Sequence, residues 1–377
     1  MTKAPGTDRS IDRAELIARI RLIRSPTIGP ITFRDLLMRF GSAGQAVAAL
    51  PGLTAKAGRR ITLEGTAEAE GELRALEAMG VELLAIDSEN YPPWLKHVED
   101  APPLLSAIGQ VDCLRRPAVA IVGSRNASAA GRKMAMTIAA GLSEEGYLVV
   151  SGLARGIDAA AHEASIGNGT VAVMAGGLDQ VYPPENDPLA RRIRETGALI
   201  SEMPLGWEPR ARDFPRRNRI VSGMALAVVV VEAADRSGSL ITARLAGEQG
   251  RVVCAVPGSP LDPRAAGTNR LIKNGAHLVE TAEDVVNVIA PMLGDRTRLR
   301  VDAGVSERAP AYADRDDGLA DTGQRERVLT VLGPAPTMID DVIRSSGVPA
   351  SVVHLVLLEL DLAGRLERHG GGRVSVL

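Results

Sequence analysis

Short, continuously apolar runs alternate with amphipathic stretches through the middle of the chain. Residues 118–122 and 147–150 read as two such strands, each ending in a small-residue turn that opens a helix. Further apolar runs at 170–174, 198–201, 226–231 and 251–256 repeat the pattern, with a short edge strand at 277–279. Strands without polar alternation are buried on both faces, which predicts an α/β core built on a parallel sheet covered by helices. The run at 226–231 is the most apolar and is expected to be central. Helices are predicted at 157–166, ended by Gly167, at 240–248 behind a Ser237-Gly238-Ser239 cap, at 268–274 and at 282–289, with Asn186 capping a further helix.

Before the core the apolar positions recur at helical spacing. Helices follow from Ile11, over 32–40, to about Leu50 and over 66–79, with a strand at 81–86. Ile28-Gly29-Pro30 and Pro51-Gly52-Leu53 read as two hairpin turns. This is a helix-hairpin-helix or sterile-alpha-motif-like pattern, which grips a nucleic-acid backbone in some proteins and is ordinary helical packing in others. Tyr91-Pro92-Pro93 and Ala101-Pro102-Pro103 punctuate an extended strap. After the core comes a polar stretch without periodicity, then three helices and a two-stranded wing around Gly370-Gly371-Gly372. That is a winged-helix-like pattern. Glu359, Asp361 and Glu367 make its third-helix region less basic than a DNA reader wants, which favours protein docking over DNA binding. The expected organisation is a disordered tail 1–10, an N-terminal helical domain 11–90, a connector 91–103, a Rossmann-like core 104–290, a linker 291–324 and a winged-helix-like domain 325–377.

Composition narrows the function. The 377 residues carry a formal net charge of −2, so any basic surface is local. Cys113 and Cys254 have no metal-ligand spacing and read as reduced thiols. No secretory signal pattern and no apolar run long enough to span a bilayer is visible, so a cytoplasmic location without membrane contact is expected. No cofactor is expected: Gly-x-Gly-x-x-Gly and the P-loop are both missing.

The chemistry is placed at strand ends, where open α/β sheets bind ligands. Gly123-Ser124 and Ser151-Gly152 let amides approach an anion at a helix start, with Arg125, Arg155 and Gly156 beside them. Five arginines, Arg210, Arg212, Arg216, Arg217 and Arg219, stand close together with Asp213 as the one acid among them, interleaved by Phe214, Pro215 and Asn218. Guanidinium forks match phosphate oxygens, and Phe214 offers a face for a base. Ser237, Gly238, Ser239 and Thr242 present hydroxyls and amides at another helix start. Arg270 and Lys273 share a helix face. Asp158 and His162, four apart, are expected to pair within their helix. A hydrolytic triad with Ser124 or Ser151 is disfavoured because the Gly-x-Ser-x-Gly elbow is absent.

At these residues the chain resembles the DprA/Smf family of DNA-processing proteins. The matching stretches are Val122-Gly123-Ser124-Arg125, Ser151 to Asp158, Tyr182-Pro183, Phe214 to Gly223, Glu232 with Ser237-Gly238-Ser239, Thr242-Ala243 and Val256-Pro257-Gly258. The resemblance implies a cytoplasmic, dimeric, non-catalytic protein that binds single-stranded DNA, protects it during natural transformation and helps load the RecA recombinase. It places the DNA pocket at Gly123, Ser124, Arg125, Ser151, Gly152, Arg155, Gly156, Arg217, Asn218, Arg219, Ser237 and Gly238, to which Lys273 is added by extrapolation. Phe214, Arg216 and Ser239 complete the expected site. Since the core has only Tyr147, Tyr182, Trp207 and Phe214 as aromatics, affinity is expected to be salt-dependent, with one or two stacked bases at most. A competing reading is a nucleotide-acting enzyme of the phosphoribohydrolase type, which needs Glu232 or Asp158 as a pocket carboxylate.

Overall fold

The protein is described by a computed structural model covering residues 11–57, 62–293 and 322–377. The expected disordered tail and most of the expected 291–324 linker lie outside the described residues. The chain divides into two units: residues 72–302, and residues 11–71 together with 303–377.

The first unit is organised by one sheet. Among the described residues its strands are β1 (Glu82–Ala85), β2 (Leu104–Gly109), β3 (Ala118–Val122), β4 (Leu148–Ser151), β5 (Thr170–Val173), β6 (Ala198–Ser201), β7 (Ala227–Val230), β8 (Val252–Ala255) and β9 (His277–Leu278). They lie in the order β1-β2-β6-β5-β4-β3-β7-β8-β9. From β6 to β9 all neighbours are parallel, and β1 and β2 add an antiparallel edge. Alternate residues of each strand enter opposite cores, as a period of two requires. Ala120, Val122, Val150, Val173 and Val228 pack with Ile220 and Val221 on one face. Val119, Ile121, Val149 and Val229 pack with Ile138, Leu142, Ile157 and Ile289 on the other. Both faces being dry, the strands read as unbroken apolar runs. The crossover helices are α5 (Ala129–Glu144), α6 (Ile157–Ser165), α7 (Asp187–Thr196), α8 (Asp213–Met224), α9 (Gly238–Glu248), α10 (Ala266–Lys273) and α11 (Ala282–Leu293).

Three expectations change here. The 81–86 strand was assigned to the N-terminal helical domain, but β1 pairs with β2 as part of the core sheet. Residues 91–103 are not an extended strap: Tyr91, Leu95 and Val98 are buried and Tyr91 Oη donates to the Pro102 carbonyl at 2.8 Å. Pro punctuation there makes a packed corner. The strand at 226–231 is interior but not in the middle; β4, between β5 and β3, holds the middle, and β7 lies on the far side of β3.

The second unit joins the two ends of the chain. Its N-terminal part contains α1 (Arg13–Arg24), α2 (Pro30–Phe40) and α3 (Ala43–Ala57); α4 (Thr66–Ala78) follows. The first expected hairpin turn is present, with Pro30 opening α2. The second is not, because α3 runs through Pro51 and Gly52 without a break. Its C-terminal part contains α12 (Thr322–Val331), β10 (Thr337–Met338), α13 (Ile339–Ser346), α14 (Ala350–Leu362), β11 (Leu366–His369) and β12 (Arg373–Val376). This is a winged helix, with a third strand, β10, that the sequence did not announce; the order is β10-β12-β11. Among the described residues no single helix is long and apolar enough to cross a membrane.

Candidate nucleic-acid interface

The turns after β3, β4 and β5 and the first turn of α8 meet at the carboxyl rim of the sheet. Phe214, in the first turn of α8, is the meeting point. The Arg125 guanidinium, from the β3 turn, lies 5.1 Å from the Phe214 ring centroid. Tyr182, from the loop after β5, meets the same ring edge-on at 5.6 Å and 63°. Tyr182 is half exposed and precedes Pro183 through a cis peptide. Arg217 stands one turn along from Phe214 on the same helix face, and Asn218 beside it. The arrangement is an edge-to-face aromatic pair with one exposed and one recessed cation beside it. Stacked or edge-on rings with a guanidinium against a face are favourable contacts that leave the opposite ring surface open.

Arg217 is 6% exposed and donates from Nη1 to the Val173 carbonyl at 3.2 Å. Burial pushes its pKa down to about 10, the Asp158 charge opposes this, and Arg125 adds to it. The guanidinium therefore stays charged near neutral pH. Asp158, in the first turn of α6, is also buried. Desolvation raises its pKa, opposed by Arg217 and by the amides of Ala154 and Gly152. Its Oδ2 accepts from Gly152 N at 3.1 Å and Ala154 N at 3.4 Å. The expected Asp158–His162 pair is absent: His162 Nδ1 lies 2.9 Å from Thr170 Oγ1 instead. Asp158 turns back over the β4 turn because that turn's amides would otherwise be buried unsatisfied.

The glycines at the rim serve packing between turns. A β-carbon on Gly123 would strike the Ile157 side chain at 2.6 Å. One on Gly156, at φ +76°, would strike the carbonyl oxygens of Ser124 and Arg125. Both glycines bring the β3 and β4 turns together, which delivers Arg125 to Phe214. Arg155 is exposed on the same rim and pairs with Glu185. Leu153 holds a left-handed φ of 55° while buried, and its carbonyl accepts from Asn186 Nδ2 at 2.8 Å. Asn186 precedes α7 but makes no side-chain cap; it ties two rim loops instead. Backbone held in a costly region marks loops that surrounding structure over-determines.

Several expected site residues stand elsewhere. Ser151 is fully buried, and its hydroxyl donates to the Ile121 carbonyl at 2.6 Å. Arg216 and Arg219 face away from Phe214, toward Glu202: Arg216 Nε lies 2.7 Å from Oε1 and Arg219 Nη2 2.5 Å from Oε2. Arg219 also bonds the Asp100 carbonyl. Three-residue spacing puts these two on one side of α8 and Arg217 on another, so the helix period divides the arginine run. Lys273 is exposed at the last residue of α10. A helix that starts at the carboxyl rim ends near the opposite rim, so Lys273 stands away from Phe214. Arg270 pairs with Asp235 at 2.8 Å. Ser237 caps α9 by accepting from Ser239 N at 3.3 Å and lies 2.7 Å from Ser239 Oγ. With the exposed Gly238 it occupies the rim beyond β7, on the other side of β3 from Gly152.

The anion position expected at the helix behind Gly123-Ser124 is filled from within. Glu232, just after β7, accepts from Ser128 N at 3.0 Å and Ser128 Oγ at 2.5 Å, at the start of α5. A carboxylate already satisfies that helix dipole, so phosphate recognition falls to the arginines. Glu232 is thereby engaged rather than presented, which removes one of the two carboxylates the enzyme reading required. Sequence reading missed Tyr182 as a site residue. Its signals were the Tyr182-Pro183 match to the family and the scarcity of aromatics in the core. Arg210 stacking 5.4 Å over Trp207, whose indole donates to Asp213 Oδ2 at 3.0 Å, extends the same aromatic-cation theme.

Fold and rim together define a doubly wound α/β protein that displays aromatic rings and guanidinium groups at its strand ends. Residues 82–290 match the family model described as DNA recombination-mediator protein A. Residues 13–75 match a DprA-like N-terminal helix-hairpin-helix domain and residues 309–372 a DprA winged helix domain. The chain belongs to the DNA recombination-mediator protein A, or DprA/Smf, family. Protein Smf of Escherichia coli is 38% identical over 328 residues, covering 86% of this chain and 85% of that protein. DNA processing protein DprA of Bacillus subtilis is 43% identical over 216 residues, covering 56% and 73%. The X-ray structure of DprA from Streptococcus pneumoniae superposes with a TM-score of 0.58 at 34% identity, covering 72% of this chain and 96% of that one. A structure of DNA processing protein A from Helicobacter pylori, described for its single-stranded DNA binding mode, gives 0.52 at 28% identity, covering 56% and 96%.

Proposed function

We propose that the chain binds single-stranded DNA along the rim that carries Arg125, Phe214, Tyr182 and Arg217, and that it acts as a non-catalytic recombination mediator. The observation that carries this reading is Arg125 stacked on Phe214 with Arg217 recessed behind them. Alternating charge and ring surface suits a flexible strand, whose phosphates and unstacked bases can both be met. A duplex keeps its base faces hidden, so the rings would gain nothing from it. Gly123, Ser124, Gly152, Arg155, Gly156 and Asn218 frame this path, while Gly238 and Ser237 extend it past β3. The RecA recombinase and a second copy of the chain, joined through the core, are the partners the family resemblance implies, in a cytoplasmic setting.

The test is a salt titration of full-length protein against a single strand and its duplex. The single strand should bind more tightly, with affinity falling as salt rises. Arg125→Ala and Arg217→Ala should each weaken single-strand binding. Equal affinity for the duplex, or wild-type binding by both variants, would overturn the assignment.

A further inference from the structure

The winged helix has three helices, and the third, α14, is the one such folds lay into a DNA groove. In this chain it is apolar nearly all round: Val353, Val356, Leu357 and Leu360 face the core of the winged helix itself. Leu355, Leu358 and Leu362 leave that core and join Leu22, Phe33 and Leu36 of α1 and α2 in another. A helix with two opposed apolar stripes has two packing partners. The second partner is the N-terminal helical module.

Polar contacts fix this second packing. Thr32 Oγ1, on α2, donates to Asp361 Oδ2 at 2.8 Å. Arg368, on the wing strand β11, bridges Asp35 of α2 at 2.7 Å and Asp361 of α14 at 3.1 Å. All three side chains are less than a fifth exposed. The remaining charges of α14 are also wrong for DNA. The helix holds Glu359 and Asp361 and contains no lysine or arginine, and Glu359 is itself held by Arg325 at 2.6 Å.

We infer that the C-terminal winged helix is a clasp for the N-terminal helical module of its own chain, and that its third helix reads no duplex DNA. The surface that a reader would present is inside the protein. Arg368 of the wing already faces two carboxylates. The start of α3 is likewise closed, since the amides of Ala43 and Gly44 donate to Glu15 at 2.8 and 3.1 Å. The ends of the chain thus form one body, and the clasp joins segments more than 300 residues apart in sequence.

The experiment is amide hydrogen exchange on the full-length chain. Arg368→Asp and Asp35→Arg should each speed exchange in α2 and in α14 by about 10-fold or more, and the double reversal should recover much of the loss. Thr32→Val, a milder change, should speed exchange in α14 although it lies on α2. On adding a short duplex at low salt, α14 should gain no protection. Exchange in α2 that ignores both reversals and in α14 that ignores Thr32→Val would overturn the clasp. Protection of α14 by duplex would overturn the second half of the inference.

Discussion

The guanidinium of Arg217 stands in the volume that a side chain at Gly152 would occupy. A β-carbon on Gly152 would fall 1.4 Å from Nη1 and 2.3 Å from Cζ. Gly152 is therefore needed by the side chain of Arg217, far along the sequence, rather than by a ligand. Gly152→Ala should expel the guanidinium and reduce single-strand binding to about the level of Arg217→Ala. The two changes should be strongly non-additive: with alanine at 217 the clash is gone, so the double variant should unfold at higher urea than Gly152→Ala alone. Additive losses of stability would show that Arg217 does not fill that space.

Asp158 faces Arg217 in the same buried layer, and removing its charge has a specific cost. Asp158→Asn takes the facing charge from a buried cation, which destabilises, but it also removes a carboxylate whose charge is itself disfavoured by burial, so the net loss should be smaller than for breaking a close ion pair. The substitution further weakens the acceptor for the Gly152 and Ala154 amides. In an Arg217→Met background the same Asp158→Asn change should cost far less, because no cation remains to be stranded. Urea denaturation of the four proteins measures the coupling. Equal costs in the two backgrounds would mean that Asp158 acts on the β4 turn alone.

The sheet was legible because strands buried on both faces leave nothing polar to confuse the pattern; β3 to β8 lie within a residue or two of the apolar runs. β1 was misassigned because four residues, Glu82–Ala85, carry no sign of which sheet they join. At the site, residue type was legible and direction was not. The run from Arg210 to Arg219 declared its charge, but α8 sends Arg217 under the β4 turn to the Val173 carbonyl and Arg216 with Arg219 to Glu202. Gly123 and Gly156 looked like room for a phosphate and are instead room for Ile157 and for two carbonyl oxygens. Glycine says that something comes close; only the folded chain says what. Glu232 could not be placed at the start of α5 because Ser128 is 104 residues away.

Arg125 and Phe214 touch each other, yet they should fail differently. Arg125 contributes charge, so Arg125→Ala should lower the magnitude of the slope of log K against log salt by about 0.7, the value for one single-strand phosphate contact. Phe214 contributes a face for a base, so Phe214→Ala should weaken binding by ~1–3 kcal/mol with a nearly unchanged slope. Phe214→Tyr should keep most of the affinity. Parallel titrations of the three variants separate the roles, and a slope lowered equally by Phe214→Ala would show that the ring matters only as a rest for Arg125.

His162 makes the stability of the core depend on pH. Thr170 Oγ1 donates its one hydrogen to the Val149 carbonyl at 2.7 Å, so it must accept from His162 Nδ1–H at 2.9 Å. Nε2 is then the unprotonated nitrogen, buried and, among the described residues, without a partner. Burial, helped by the Arg217 charge, lowers the pKa from 6.5 to about 3. In the unfolded chain the imidazole takes up a proton below pH 6.5, while in the fold it does not. Stability from this group is therefore complete above pH 6.5 and declines as pH falls toward 3, at up to about 1.4 kcal/mol per pH unit. Asp158 works in the opposite sense, since its raised pKa favours the fold as acid is added. The difference between wild type and His162→Gln isolates the imidazole. The urea stability of wild type should fall more steeply than that of His162→Gln from pH 6.5 downward and run parallel to it above. Parallel curves across the acid range would mean that His162 protonates as readily inside the fold as outside it.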